Sequence, residues 1–237
     1  MGKQKKSGAG SFLSGARAVL GATLALAVVN VSATVLIFEG TGFGGSGSTF
    51  SDEYGDHVTN FGLVGDNFIY GALGGVTPNV VVDYLPAAPN GPFSNWTSGY
   101  GDLQNALGHV SFNVPGEVVL IPDAGFQVTL HDFDIGAWLG NYPDSRVRVL
   151  DSAGIVRFDS GVFTALFQPN GVDVGHYSFP LNPITSSLAL RIEVTEYGDL
   201  GLDNVHFSQS AVPLPAAVWL LGAAVGGLGF MRRRHAA

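Results

Sequence analysis

Phe126-Gln127-Val128-Thr129-Leu130-His131-Asp132-Phe133-Asp134-Ile135-Gly136 decides the fold class. Phe126, Val128 and Leu130 alternate with Gln127, Thr129 and His131. A period of two means a half-buried strand with one face on a core. Beyond His131 the parity reverses, because Phe133 and Ile135 fall on the opposite register to Leu130. Without a bulge, Asp132 and Asp134 would point into the core, and burying two uncompensated carboxylates is prohibitive. The sequence therefore demands either a bulge that turns both outward or a cation or donors that meet them at the strand end.

The same period recurs on both sides of this stretch. Val147 and Val149 alternate with Arg146 and Arg148, and Leu188, Leu190, Ile192 and Val194 alternate with Ala189, Arg191 and Glu193. Thr34–Phe38 is β-branched and aromatic, and 67–70, 80–84 and 110–114 read as further short strands. Turn signals separate them at Pro122–Gly125, Tyr142–Asp144, Asp151–Gly154, Pro169–Gly171 and Pro180–Pro183. Gly44–Gly47 and the Pro-, Gly- and aromatic-rich span Ala87–Gly101 read as loops, the second long enough to carry function. No amphipathic helix is visible. Many short strands at regular spacing predict an all-β, antiparallel sandwich over residues 34–210.

Charge is partitioned along the chain. Of its 237 residues, the three lysines lie before residue 7, and the arginines are Arg17, Arg146, Arg148, Arg157, Arg191 and Arg232–Arg234. All 19 acidic residues lie between Thr34 and Ala211, so that span carries a net charge of −15. Such a surface repels nucleic acid and anionic lipid, and favours cations and neutral or basic partners. There is no cysteine, so stability must come from the core or from bound ions.

Both ends read as membrane-directed. Lys3, Lys5, Lys6 and Arg17 precede the 12-residue apolar run Ala18–Val29, and Val31-Ser32-Ala33 forms an A-x-A-like cleavage site. This predicts a signal peptide over 1–33 and a mature chain from Thr34. At the other end, over 211–237, Val212-Pro213-Leu214-Pro215 is a rigid junction, Leu214–Met231 is an uncharged run of 18 residues, and Arg232, Arg233 and Arg234 close it. That run reaches the ~17–25 residues that span a bilayer, and the arginines should stay cytoplasmic. A transmembrane helix over about 214–231 is expected, beginning near Pro215.

The tail resembles the PEP-CTERM sorting signal of Gram-negative bacteria. The resemblance rests on Val212-Pro213-Leu214-Pro215, on Ala216–Leu221 and on the Arg run, with Leu214 standing where the family's Glu would be. It implies an exosortase as partner, which recognises and removes the tail; a plain single-span anchor is the alternative. Residues 126–208 are similar to the jelly-roll domains of such proteins, and more distantly to galactose-binding-like carbohydrate-binding modules. The carrying residues are His131–Trp138 and Gly201–Phe207. In those modules an acidic residue of the last strand helps hold a structural calcium with an acidic partner near the first strand. Matched here, these are Asp203 and Glu39, with Asp132 and Asp134 as a second candidate pair. The alternative for Asp203 is that it caps its own turn.

Catalytic motifs are missing from the sequence: there is no G-x-S-x-G elbow and no H-E-x-x-H pair. A pair of carboxylates suited to glycoside hydrolysis stays open among the 19. Trp96 and Tyr100, in the long loop, are candidates to stack on sugar rings; plugging the end of the sandwich is the competing role. The expectation is thus an exported, exosortase-sorted surface or matrix protein, non-enzymatic, associated with extracellular polysaccharide or biofilm, with calcium as structural cofactor. A secreted carbohydrate-active hydrolase and an adhesive or ice-binding protein are the alternatives, the last without regular Thr-x-Thr ladders to support it.

Overall fold

A computed structural model describes residues 32–39, 43–49, 51–59, 68–71, 75–86, 93–109, 114–166, 175–197, 200–213 and 220–225. Residues 1–31 of the expected signal peptide 1–33, the expected turn 169–171, and Leu214, Pro215 and Arg232–Arg234 of the tail lie outside them.

In chain order the strands are β1 (Ser32–Glu39), β2 (Ser48–Thr49), β3 (Ile69–Tyr70), β4 (Val80–Pro86), β5 (Phe93–Trp96), β6 (Ala106–His109), β7 (Val114–Pro122) and β8 (Phe126–Ala137). They continue with β9 (Asn141–Ser145), β10 (Val147–Asp151), β11 (Val156–Asp159), β12 (Phe163–Leu166), β13 (His176–Ser178), β14 (Ile184–Ser186), β15 (Leu190–Tyr197) and β16 (Leu200–Ala211). The fold is mostly β, and its sheets are antiparallel in a sandwich-like arrangement. One layer runs β11-β10-β15-β7-β4. The other is centred on the β8–β16 pair. β13 and β14 take the free edge of β8, and β1 and β6 share the far edge of β16. β5 and β2 extend the sheet beyond β6. The layers meet where β15 runs into β16, at Tyr197 and Leu200.

The core lies between these layers. Val128, Leu130, Phe133 and Ile135 of β8, with Leu202, Val205 and Phe207 of β16, share one cluster with Val118 and Leu120 of β7 and with Leu190, Ile192 and Val194 of β15. Each such side chain contributes about 1.5–3 kcal/mol on burial. Outside, Arg148 pairs with Glu193 at 2.7 Å and Arg191 with Glu117 at 3.3 Å. The outer edge of β4 is capped by carboxylates: Val82 N–H donates to Asp56 Oδ1 (2.7 Å) and Tyr84 N–H to Asp52 Oδ1 (3.3 Å), which blunts an otherwise open sheet edge.

The parity break in β8 is resolved by bulges. Register shifts between Asp203 and His206 and between His206 and Phe207 of β16, so that Asp134 pairs with Asp203, Asp132 with His206 and Leu130 with Phe207. Leu130 and Phe133 both reach the core, and Asp132 and Asp134 turn outward.

Several local readings change. Phe93–Trp96, expected within the loop Ala87–Gly101, is β5, because β6 on one side and β2 on the other supply its hydrogen bonds. Tyr142–Asp144, expected as a turn, lies inside β9, with Asp144 at φ 64° absorbing the irregularity. Of the expected strand 110–114 only Val114 is described, as the start of β7. Leu188 precedes β15 and is exposed rather than on its apolar face. β1 begins at Ser32, and Ala33 pairs with Ser208, so the strand starts before the expected cleavage point. Val212 N–H donates to Gly125 O at 2.8 Å, which ties the proline junction to the sandwich. Residues 220–225 are helical and exposed. Among the described residues no helix is long and apolar enough to cross a membrane.

Candidate functional site

Glu39 and Asp203 come to one cavity of about 270 Å³, lined also by Ile37, Asp102, Leu103, Gln104, His176 and Asn204. Each arrives by a specific irregularity. β1 pairs with β16 through Leu36 and Val205, and on its other edge its register against β3 shifts between Leu36 and Glu39. Phe38 sits at φ 50°, in the left-handed region that a bulky residue enters only when the surroundings hold it there. The Tyr54 hydroxyl does the holding: it accepts from Ile37 N–H and Phe38 N–H, both at 3.0 Å, and donates to Ile69 O. On β16, Asn204 at φ 51° marks the bulge beside Asp203.

Asp203 is 4% exposed. Its Oδ1 accepts from the Asn204 N–H at 2.7 Å, and the Asn204 amide donates to Asp134 Oδ2 at 2.8 Å. Burial first, then the negative charges of Asp134 and Glu39, push its carboxyl up to about 8 against the Asn204 hydrogen bond. Among the described residues no arginine offsets them. Arg146 is held by Asp159, Arg148 by Glu193, Arg157 by Asp151 and Arg191 by Glu117, all on the opposite layer or its edge.

The rim is closed by the loop after β5. His176 Nδ1 lies 2.7 Å from Asp102 Oδ1, and its Nε2 lies 3.9 Å from Asp134 Oδ1. That contact requires the loop backbone to lie directly on β13. A Cβ on Gly101 would come within 2.0 Å of Gly175 O, and Gly101 has φ 65°, so only glycine lets the two chains meet there.

The expected carboxylates are thus divided. Asp203, Glu39 and Asp134 share one neighbourhood. Asp132 belongs elsewhere, with its Oδ2 3.0 Å from His206 Nδ1. Asp132 and Asp134 thus have different hydrogen-bond partners. Asp203 also makes the turn contact that was the alternative reading. Among the described residues, no three His, Asp or Glu side chains converge as a ready metal shell. A calcium ion here would draw on Asp203 and Glu39, with the carbonyl oxygens of Gln104 or Asn204 side chains and water completing the oxygen ligands.

Trp96 is half-buried and packs on Trp138 at 4.9 Å between ring centroids; its indole N–H is buried without an acceptor. Tyr100 is buried, 5.1 Å from the Trp138 ring, and offers no face to solvent. With Leu103 and Ala106 these rings form a small second core that props the loop carrying Asp102. His176, Asp102 and Asn204 were not singled out in the sequence. His176 and Asp102 are 74 residues apart, and neither stands in a motif.

Compared with known proteins, the chain matches no protein-family model and no curated protein.

Proposed function

We propose that this chain is an exported surface or matrix protein whose sandwich is a non-enzymatic binding module, closed by calcium at Asp203 and Glu39 and associated with extracellular polysaccharide. The observation that carries the reading is Asp203: a carboxylate 4% exposed, facing Glu39 and Asp134, with every arginine of residues 34–211 committed elsewhere. A buried charge of this kind calls for a proton or a cation. The carboxylate oxygens of Asp203 and Glu39, on a cysteine-free domain of net charge −15, suit calcium better than zinc. Trp96, half-buried against Trp138, is the aromatic side chain whose remaining exposed edge is offered to a sugar.

In this reading the signal peptide exports the chain, the tail holds it in the inner membrane with Arg232–Arg234 in the cytoplasm, and an exosortase acts at Val212–Pro215. The protein then resides at the cell surface or in the extracellular matrix. The secreted hydrolase is retained as the second reading, because a carboxyl pushed up to about 8 beside other carboxylates is also how a general acid is poised.

The test is a thermal melt of the full chain in calcium and in chelator, beside a panel of polysaccharide hydrolysis assays. Calcium at a hundredfold excess over Kd should add about 2.7 kcal/mol, a shift of several degrees. Identical melts reject the calcium site. Hydrolysis that Asp203→Asn abolishes selects the enzyme instead.

A further inference from the structure

Outside that cavity, on the outward face of β8 and β16, two imidazole rings meet. His131 and His206 have ring centroids 4.6 Å apart, at an interplanar angle of 31°. They come together because of the bulge: β8 spends an extra residue opposite the step from His206 to Phe207, and that brings His131 up beside His206. Each ring is oriented through one nitrogen. Asp132 Oδ2 lies 3.0 Å from His206 Nδ1, and Ser208 Oγ lies 2.8 Å from His131 Nε2. The nitrogens that remain are His206 Nε2 and His131 Nδ1. Both rings are half-buried on the sheet face, so they are held and still reachable.

We propose that His131 and His206 form a two-histidine chelate for a borderline divalent metal ion, copper(II) or zinc, with water in the remaining positions. Neutral imidazoles are the preferred ligands of these ions. A carboxylate on the far ring nitrogen is the usual companion of a metal-bound histidine, fixing its tautomer and raising its basicity, and Asp132 stands there. The donor set is two imidazole nitrogens, whereas Asp203 and Glu39 offer carboxylate oxygens, so the two sites select different ions and neither depends on the other.

The experiment is calorimetric titration of copper(II), and separately zinc, into the full chain at pH 7.5, with calcium present throughout. One ion should bind per chain. His131→Gln and His206→Gln should each weaken binding at least ~10-fold, and Asp132→Asn should weaken it by ~10-fold as the partner of a ligand. His57→Gln should leave it unchanged. In NMR spectra, copper(II) should broaden Thr129 and Ser208 selectively in the unmutated chain, which keeps the test valid where a variant fails to fold. Equal affinity in the His131→Gln and His206→Gln variants, loss with His57→Gln instead, or broadening elsewhere would overturn the assignment. Failure here leaves the calcium reading standing, since its readout is the melt at Asp203.

Discussion

Replacing Asp203 by Asn should make the calcium-free protein more stable at neutral pH, although it alters a buried residue at the centre of the site. The ordinary carboxyl value is 3.8, and in the fold it is pushed up to about 8. The folded state therefore prefers the protonated form. Stability from this group is fully present below the unfolded value and is lost as pH rises through the folded one. At about 1.36 kcal/mol per unit, the mismatch between the ionised unfolded carboxyl and the buried one costs the fold about 4 kcal/mol at pH 7 and about 6 kcal/mol above pH 8. Asparagine cannot ionise. Its oxygen keeps the hydrogen bond from Asn204, and its amide faces Glu39 and Asp134 as a donor. In chelator at pH 7 the variant should thus gain up to about 4 kcal/mol, or ~8–16 °C in Tm for a domain of this size. Near pH 4 parent and variant should converge. Calcium should raise the parent alone, and its apparent affinity for the parent should climb about tenfold per pH unit below pH 8, because binding must displace the proton. Thermal melts from pH 4 to 9, with calcium and with chelator, measure all of this. Parallel curves for parent and variant across that range, or a variant less stable at pH 7, would refute the buried-charge reasoning.

Three further outcomes follow from the same geometry. Tyr54→Phe removes the acceptor of the Ile37 and Phe38 N–H groups and should cost about 2–3 kcal/mol, because two buried donors lose their partner. It should also weaken the calcium response by releasing the bulge that aims Glu39, read in the same melts. Gly99→Ala would drive a Cβ to 2.0 Å from the Trp138 ring at φ 105°, so it should destabilise by more than about 2 kcal/mol and shift tryptophan fluorescence. His131 should titrate by NMR below the usual imidazole value, so its contribution to stability is present above the unfolded value near 6.5 and lost as pH falls; His206→Gln should move that titration upward.

What local chemistry could specify was readable before any fold. The period-two alternation of Phe126–His131 and Leu190–Val194 requires strands with one buried face, whatever they pair with. The parity break at Phe133 calls for a bulge, or for a cation or donors at the strand end, since two carboxylates cannot enter a core unaided, and β8 contains a bulge. The value of −15 for residues 34–211, the absent cysteine and the uncharged run before Arg232–Arg234 are properties of composition alone. Tertiary structure decided where no local preference exists. β5 is a strand because β2 and β6 flank it, and its own residues read as loop. Tyr100 and Trp96 stood together as sugar-facing candidates, and packing on Trp138 buried the first and half-buried the second. Asp132 and Asp134, two residues apart, were separated by what lies across the strand: His206 for one, Asp203 and Asn204 for the other. The His176–Asp102 contact spans 74 residues and needs Gly101 laid against Gly175. A strand's pattern is set by its own alternation, but a site assembled across strands depends on register and bulge, and those are fixed only when the sheets close on one another.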